Sequence, residues 1–168
     1  IDAAKLLKYY KIHFLTNNMM GIPSETVEQA CETIKLNNLI GTDVPWCSIM
    51  QPFPKTDIAA FAISKGLLDG EYDKDFYPSF FLKNQIKQEN IYQLWNLQKF
   101  FIIAVKMPFL MPLIKRLIKL KPNKIFEFIF LCSYFTTYKR RHNVSWLTAF
   151  LFGLKTRRQI SITKKTTS

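Results

Sequence analysis

Apolar positions in the first seventy residues follow two rhythms in turn. Residues 10–15 alternate and run on into 16–20, which predicts a strand. Val27, Ala30, Cys31 and Ile34 then fall at i, i+3, i+4 and i+7, one face of a helix. Thr26 with Gln29 three residues on makes a capping box at its start, and Gly41 supplies a natural stop. A second apolar run, 44–50, is too continuous to face water and predicts a parallel strand covered by helices. Pro52 and Pro54 break its ladder, because proline cannot donate to it. Thr56 or Asp57 can cap a further helix through Ile58, Phe61 and Ala62 that ends at Gly66. Strand, loop, helix, twice over, is the repeat of a parallel α/β barrel or sheet. Residues 2–8, ahead of it all, are helix-like.

Residues 69–82 turn acidic and aromatic and predict an excursion over the surface, with a domain boundary there. Beyond it, Ile91, Leu94, Trp95, Gln98, Phe101, Ile102 and Val105 keep helical spacing, so a helix is expected over 85–106 before Pro108 ends it. A shorter one over 109–120 would place Leu113, Ile114, Leu117 and Ile118 on one face and Lys115, Arg116 and Lys119 on the other. Pro122 and Asn123 mark a turn, and helices over 125–138 and 146–154 follow, the last between Ser145 and Gly153. The expected organisation is therefore α/β strand-helix units over 1–82, a helical domain over 83–155 and a disordered basic tail over 156–168.

Charge divides the chain the same way. Residues 1–82 hold seven Lys or Arg against ten Asp or Glu, and residues 83–168 hold seventeen against two. The basic half alternates with aromatics, a mixture shared by membrane-surface helices and nucleic-acid binders. Anionic membrane contact is the better fit, since aromatics at helical spacing are more often packing than base-stacking platforms. The apolar run 100–114 is broken by Lys106, Pro108 and Pro112 and falls short of the roughly twenty residues a spanning helix needs. Three cysteines with no even framework point to a reducing compartment, with the cytoplasm the expected one and membrane association through the basic helices.

The chemistry is concentrated in the two strand-end loops, Gly21-Ile-Pro-Ser-Glu-Thr26 and Pro52-Phe-Pro-Lys-Thr56. Their order and wording resemble the radical S-adenosylmethionine (SAM) superfamily, and within it the cobalamin-binding branch, where Gly-Leu-Pro-Gly-Glu-Thr is followed by Pro-x-Pro-Gly-Thr. The resemblance covers about the first seventy residues and, more loosely, the helical remainder. It implies the C-terminal part of a partial (β/α) barrel followed by an all-α basic extension. It also implies that Met19, Met20, Gly21, Pro23 and Glu25 line bound SAM, with backbone groups of Met50, Gln51 and Pro52 pairing with the adenine edge. Each has a plainer reading beside it. Any α/β protein needs a Gly-Pro turn here, and an acid such as Glu25 in the first turn of a helix is stabilised by its dipole. Ser24 and Lys55 stand where the family commonly has glycine, which bears on close backbone approach to a ligand.

The family's Cys-x-x-x-Cys-x-x-Cys loop, whose thiolates hold a [4Fe–4S] cluster, has no counterpart among Cys31, Cys47 and Cys132. With Ile1 opening the chain, the expectation is a C-terminal fragment, inactive alone. The cluster and the cobalamin-binding segment, if cobalamin is used, would lie in upstream parts of the same protein. The implied activity is radical chemistry on SAM, extending to cobalamin-dependent methyl transfer. The alternative is a non-catalytic basic adaptor on anionic membranes through 100–120 and the following helices. His13 in the first strand is either an interior acid, base or ligand or a hydrogen-bonded core residue. Cys47 is either directed into the barrel or a small buried hydrophobe.

Overall fold

A computed structural model describes residues 1–72, 84–142 and Ser145 of the 168-residue chain. The expected helix over 146–154, the tail over 156–168 and most of the acidic excursion over 69–82 lie outside the described residues. The chain divides into two compact units, one over residues 1–126 and one from Glu127 onward.

In the first unit, helix α1 (Asp2–Tyr9) leads to strand β1 (Leu15–Met20), helix α2 (Val27–Leu39), strand β2 (Val44–Ile49) and helix α3 (Asp57–Ser64). Helix α4 (Ile91–Lys106), a 3-10 turn (Pro108–Leu110) and helix α5 (Met111–Leu117) follow, and helix α6 (Lys124–His142) runs on into the second unit. The class is mixed α/β: six helices and a two-stranded parallel sheet among the described residues. Leu15 lies opposite Val44 and Met20 opposite Ile49, so both strands end level and their loops emerge side by side.

The pleat sorts the strand residues. Thr16, Asn18 and Met20 alternate with the exposed Leu15, Asn17 and Met19. The first set meets α2 through a polar network. Thr16 Oγ1 donates to Asn37 Oδ1 at 2.5 Å, Asn37 Nδ2 to Asn18 Oδ1 at 2.7 Å, and Asn18 Nδ2 to the Trp46 carbonyl at 2.8 Å. Asn37 is fully buried, so each of these bonds answers a group that would otherwise be desolvated without a partner. Helix α4 contributes the rest of the core with Leu94, Leu97, Phe101 and Ala104, and also two buried amides. Gln98 Nε2 donates to the Cys47 carbonyl at 3.1 Å, on the side of β2 turned away from β1, and Asn96 Nδ2 donates to the last carbonyls after α5, Ile118 and Leu120.

Several expected boundaries move. The first strand begins at Leu15, because 10–14 is spent leaving α1: Lys11 takes φ +54°, and the Lys11 and Ile12 amides donate back to Lys8 and Leu7. His13 is therefore exposed in that connection rather than inside a strand, with Nδ1 3.3 Å from Asp43 Oδ1. Helix α4 starts at Ile91 instead of 85, since Asn84, Gln88 and Asn90 bond to the strand-end loops. The helix expected over 109–120 opens as the 3-10 turn, and Leu113 faces solvent while Ile114 and Ile118 are buried. Helix α6 extends to His142, its start capped by Asn123 Oδ1, which accepts from the Phe126 amide at 3.1 Å.

Candidate functional site

The two loops leave the same end of the sheet and are held together from the first residue. The Met50 amide donates to the Met20 carbonyl at 2.8 Å, extending the ladder one step past the strands. Gly21 then turns the chain at φ +78°, and a Cβ there would lie 3.2 Å from Asn84 Nδ2 and 3.6 Å from Ile49 Cγ2. Glycine is favoured by conformation, and the close approach to Asn84 adds to that preference.

Glu25 folds back on its own loop. One carboxylate oxygen, Oε2, accepts from the Gly21 amide at 2.6 Å and the Ile22 amide at 3.2 Å. Burial raises the acid's pKa above the ordinary carboxylate value, and the two amides partly oppose that by favouring the charged form. Thr26 and Gln29 form the capping box expected at the head of α2. In the second loop, Thr56 does not cap with its side chain: its hydroxyl donates to the Phe53 carbonyl at 2.7 Å and closes the turn. Ser24 and Lys55 take φ +68° and +64°. Left-handed backbone explains why glycine suits these positions and shows that the turn survives without it.

Residues 84–90 lie across both loops as a strap. The Asn84 carboxamide is buried; Nδ2 donates to the Gly21 carbonyl at 3.0 Å and the Met50 carbonyl at 2.9 Å, and Oδ1 accepts from Trp95 Nε1 at 3.2 Å. These partners fix which end is the amide nitrogen, since two carbonyls need donors and the indole needs an acceptor. Gln88 Oε1 accepts from the Ser24 amide at 2.9 Å, and Asn90 Nδ2 donates to the Glu25 carbonyl at 2.8 Å. Ile86 and Ile91 pack on Met50, with Leu67 and Trp95 against them.

Of the residues expected around a cofactor, Met19 is exposed on the face of β1 away from α2, while Met20 is fully buried on the other. Adjacent strand residues point to opposite faces, so the pair does not share a surface. Gly21 and Pro23 are buried, Glu25 is half-buried, and Met50, Gln51 and Pro52 are buried at the start of the second loop. Phe53 and Ile22 are apolar side chains that the loops expose, and Met19 is exposed near the end of β1. Cys47 is buried in β2, its thiol 3.7 Å from the Ser48 carbonyl and its pKa pushed far up by burial. Among the described residues no three His, Cys, Asp or Glu gather as metal ligands. Asn84, Gln88 and Asn90 are the residues that sequence reasoning missed. The one hint was an amide-rich run, 84–90, ahead of a strongly apolar helix.

No family model matches the chain, and no solved structure matches it. Among curated proteins, a stretch of 68 residues, 40% of the chain, is 35% identical to an uncharacterized methyltransferase of Pyrococcus horikoshii. The match spans 15% of that protein's own length.

Proposed function

We propose that this chain is the C-terminal part of a radical SAM enzyme of the cobalamin-binding branch, acting in methyl transfer. The observation that carries the proposal is the pairing of the two motif loops at one end of a parallel sheet, where α/β proteins bind nucleotides. The sequence similarity to a methyltransferase adds to it. The exposed face of β1, with Leu15, Asn17 and Met19, suits the interior of a partial barrel whose other strands come from the rest of a longer protein.

Met19, Ile22 and Phe53 offer exposed apolar surface on which the nucleoside of SAM would rest. The Met50 carbonyl, already bonded to Asn84, keeps a second lone pair for an adenine amino group. Glu25 orients the Gly21 amide and fixes the loop that carries this surface. When bound, SAM supplies a methyl group and, on one-electron reduction, a carbon radical. The cluster that reduces it finds no ligand set here: Cys31 and Cys47 are buried and Cys132 is exposed in the second unit. The chain's part is to bind and orient.

The test uses the intact protein, anaerobically, with cluster reconstituted. Reduction with dithionite in the presence of methyl-labelled SAM is expected to release 5′-deoxyadenosine or S-adenosylhomocysteine. Gly21→Val is expected to abolish SAM binding by calorimetry. Release of neither product would end the radical SAM proposal, and unchanged binding in Gly21→Val would remove SAM from this loop.

A further inference from the structure

Between Glu89 and Glu127 the chain holds no acidic residue and seven basic ones. Within that span, residues 107–125 carry an apolar surface that stays exposed among the described residues. The inner side of α5 and the turn after it is occupied, with Ile114 and Ile118 both buried. The outer side repeats the pattern. The exposed stripe runs from Phe109 in the 3-10 turn through Leu113 and Arg116 of α5 to Leu120 just past that helix. Phe109 is 71% exposed, Leu113 52% and Leu120 53%, with Met107 and Ile125 exposed on either side. Single exposed leucines are ordinary, but five large apolar side chains exposed within nineteen residues are a concentration of apolar surface.

Cations border the stripe. Lys115, Arg116, Lys119, Lys121 and Lys124 are all exposed, and none makes an ion pair among the described residues. An apolar stripe framed by unpaired cations matches the boundary between anionic headgroups and acyl chains, where the one is buried and the other meets phosphate. Among the described residues no helix is long and apolar enough to cross a membrane, so this contact is with the surface. The expected membrane segment, 100–120, included Phe100 and Phe101, but both are buried in the α4 core and take no part.

We propose that residues 107–125 dock the protein on anionic lipid, with Phe109, Leu113 and Leu120 entering the interface and Arg116 and Lys119 holding headgroup phosphates. The proposal is independent of the radical SAM reading. Flotation of the intact protein with vesicles of phosphatidylcholine, alone or with phosphatidylglycerol, tests it. Binding is expected only where phosphatidylglycerol is present, and to weaken as salt is raised. Arg116→Gln and Lys119→Gln should each weaken it about five-fold. Phe109→Ser should weaken it about ten-fold without changing the melting temperature, because the side chain is already exposed. Absence of flotation at low salt would overturn the proposal and mean that another part of the protein covers this surface. Binding indifferent to Phe109→Ser, with equal charge-dependent retention of a single-stranded RNA oligonucleotide, would also overturn it and assign the surface to nucleic acid.

Discussion

Replacing Asn84 by alanine removes three hydrogen bonds at once, two that its Nδ2 donates to the Gly21 and Met50 carbonyls and one that its Oδ1 accepts from Trp95. The site is buried, so the carbonyls lose their partner without regaining water. At about 1 kcal/mol net for each bond, and more where a buried group is left alone, the loss is about 2–4 kcal/mol. Asn84→Asp separates this from a simple packing effect. The shape is kept, but a carboxylate oxygen replaces the donor and faces two carbonyl oxygens, so burial and repulsion raise its folded-state pKa above the unfolded value. A raised pKa gives stability that is complete below the unfolded value, about 4, and lost as pH rises through the folded one. Asn84→Asp should therefore be less stable than Asn84→Ala at pH 7, with the gap closing or reversing in acid. Urea unfolding followed by tryptophan emission measures both, and comparing the two variants cancels the rest of the protein's pH dependence. The strap reading fails if Asn84→Ala costs under about 0.5 kcal/mol, the level of an ordinary surface change, or if the difference between the variants does not move with pH.

Two further predictions concern stability. Ser24→Gly and Lys55→Gly should each stabilise the protein by about 0.5–1 kcal/mol, since both positions hold left-handed backbone that costs an L-residue energy; thermal melts showing no gain would refute the conformational cost. Asp43 is raised by burial but lowered more by hydrogen bonds from Lys8 Nζ, the Phe14 amide and His13, which leave its pKa at about 2. A depressed carboxylate gives stability that is present above its unfolded pKa and lost as pH falls. The wild type should thus lose about 1–2 kcal/mol, discounted for solvent screening, between pH 5 and 2, and Asp43→Asn should not share that loss in denaturant titrations.

What was legible in the sequence was what local spacing encodes. Thr26 and Gln29 sit three apart and meet as a capping box, and the continuous apolar run 44–50 becomes a buried strand. What was not legible depends on distant partners. Asn84 bonds to carbonyls 63 and 34 residues away, and nothing within its own segment distinguishes it from a solvated loop amide. His13 misled because 10–15 alternates as a strand does, while the outcome was decided by how α1 ends, with Lys11 in the left-handed region. Leu113 and Ile114 are neighbours of equal hydrophobicity. Only the packing of α4 determined that Ile114 would be the one buried.

Three loop residues, Gly21, Ser24 and Lys55, share positive φ, yet glycine is kept at only one of them. Space accounts for the difference. Ser24 and Lys55 are exposed, and their side chains leave toward solvent, so each adds only a backbone cost of about 1 kcal/mol. At Gly21 a side chain would also crowd the Asn84 amide that joins the loops, with a Cβ 3.2 Å from its Nδ2. The close approach that glycine permits here is thus first made by the protein itself. Serine at 24 and lysine at 55 leave the loop shape intact because Glu25, Gln88 and Thr56 hold it from side chains. The backbone at these strand ends is thus already set by the strap.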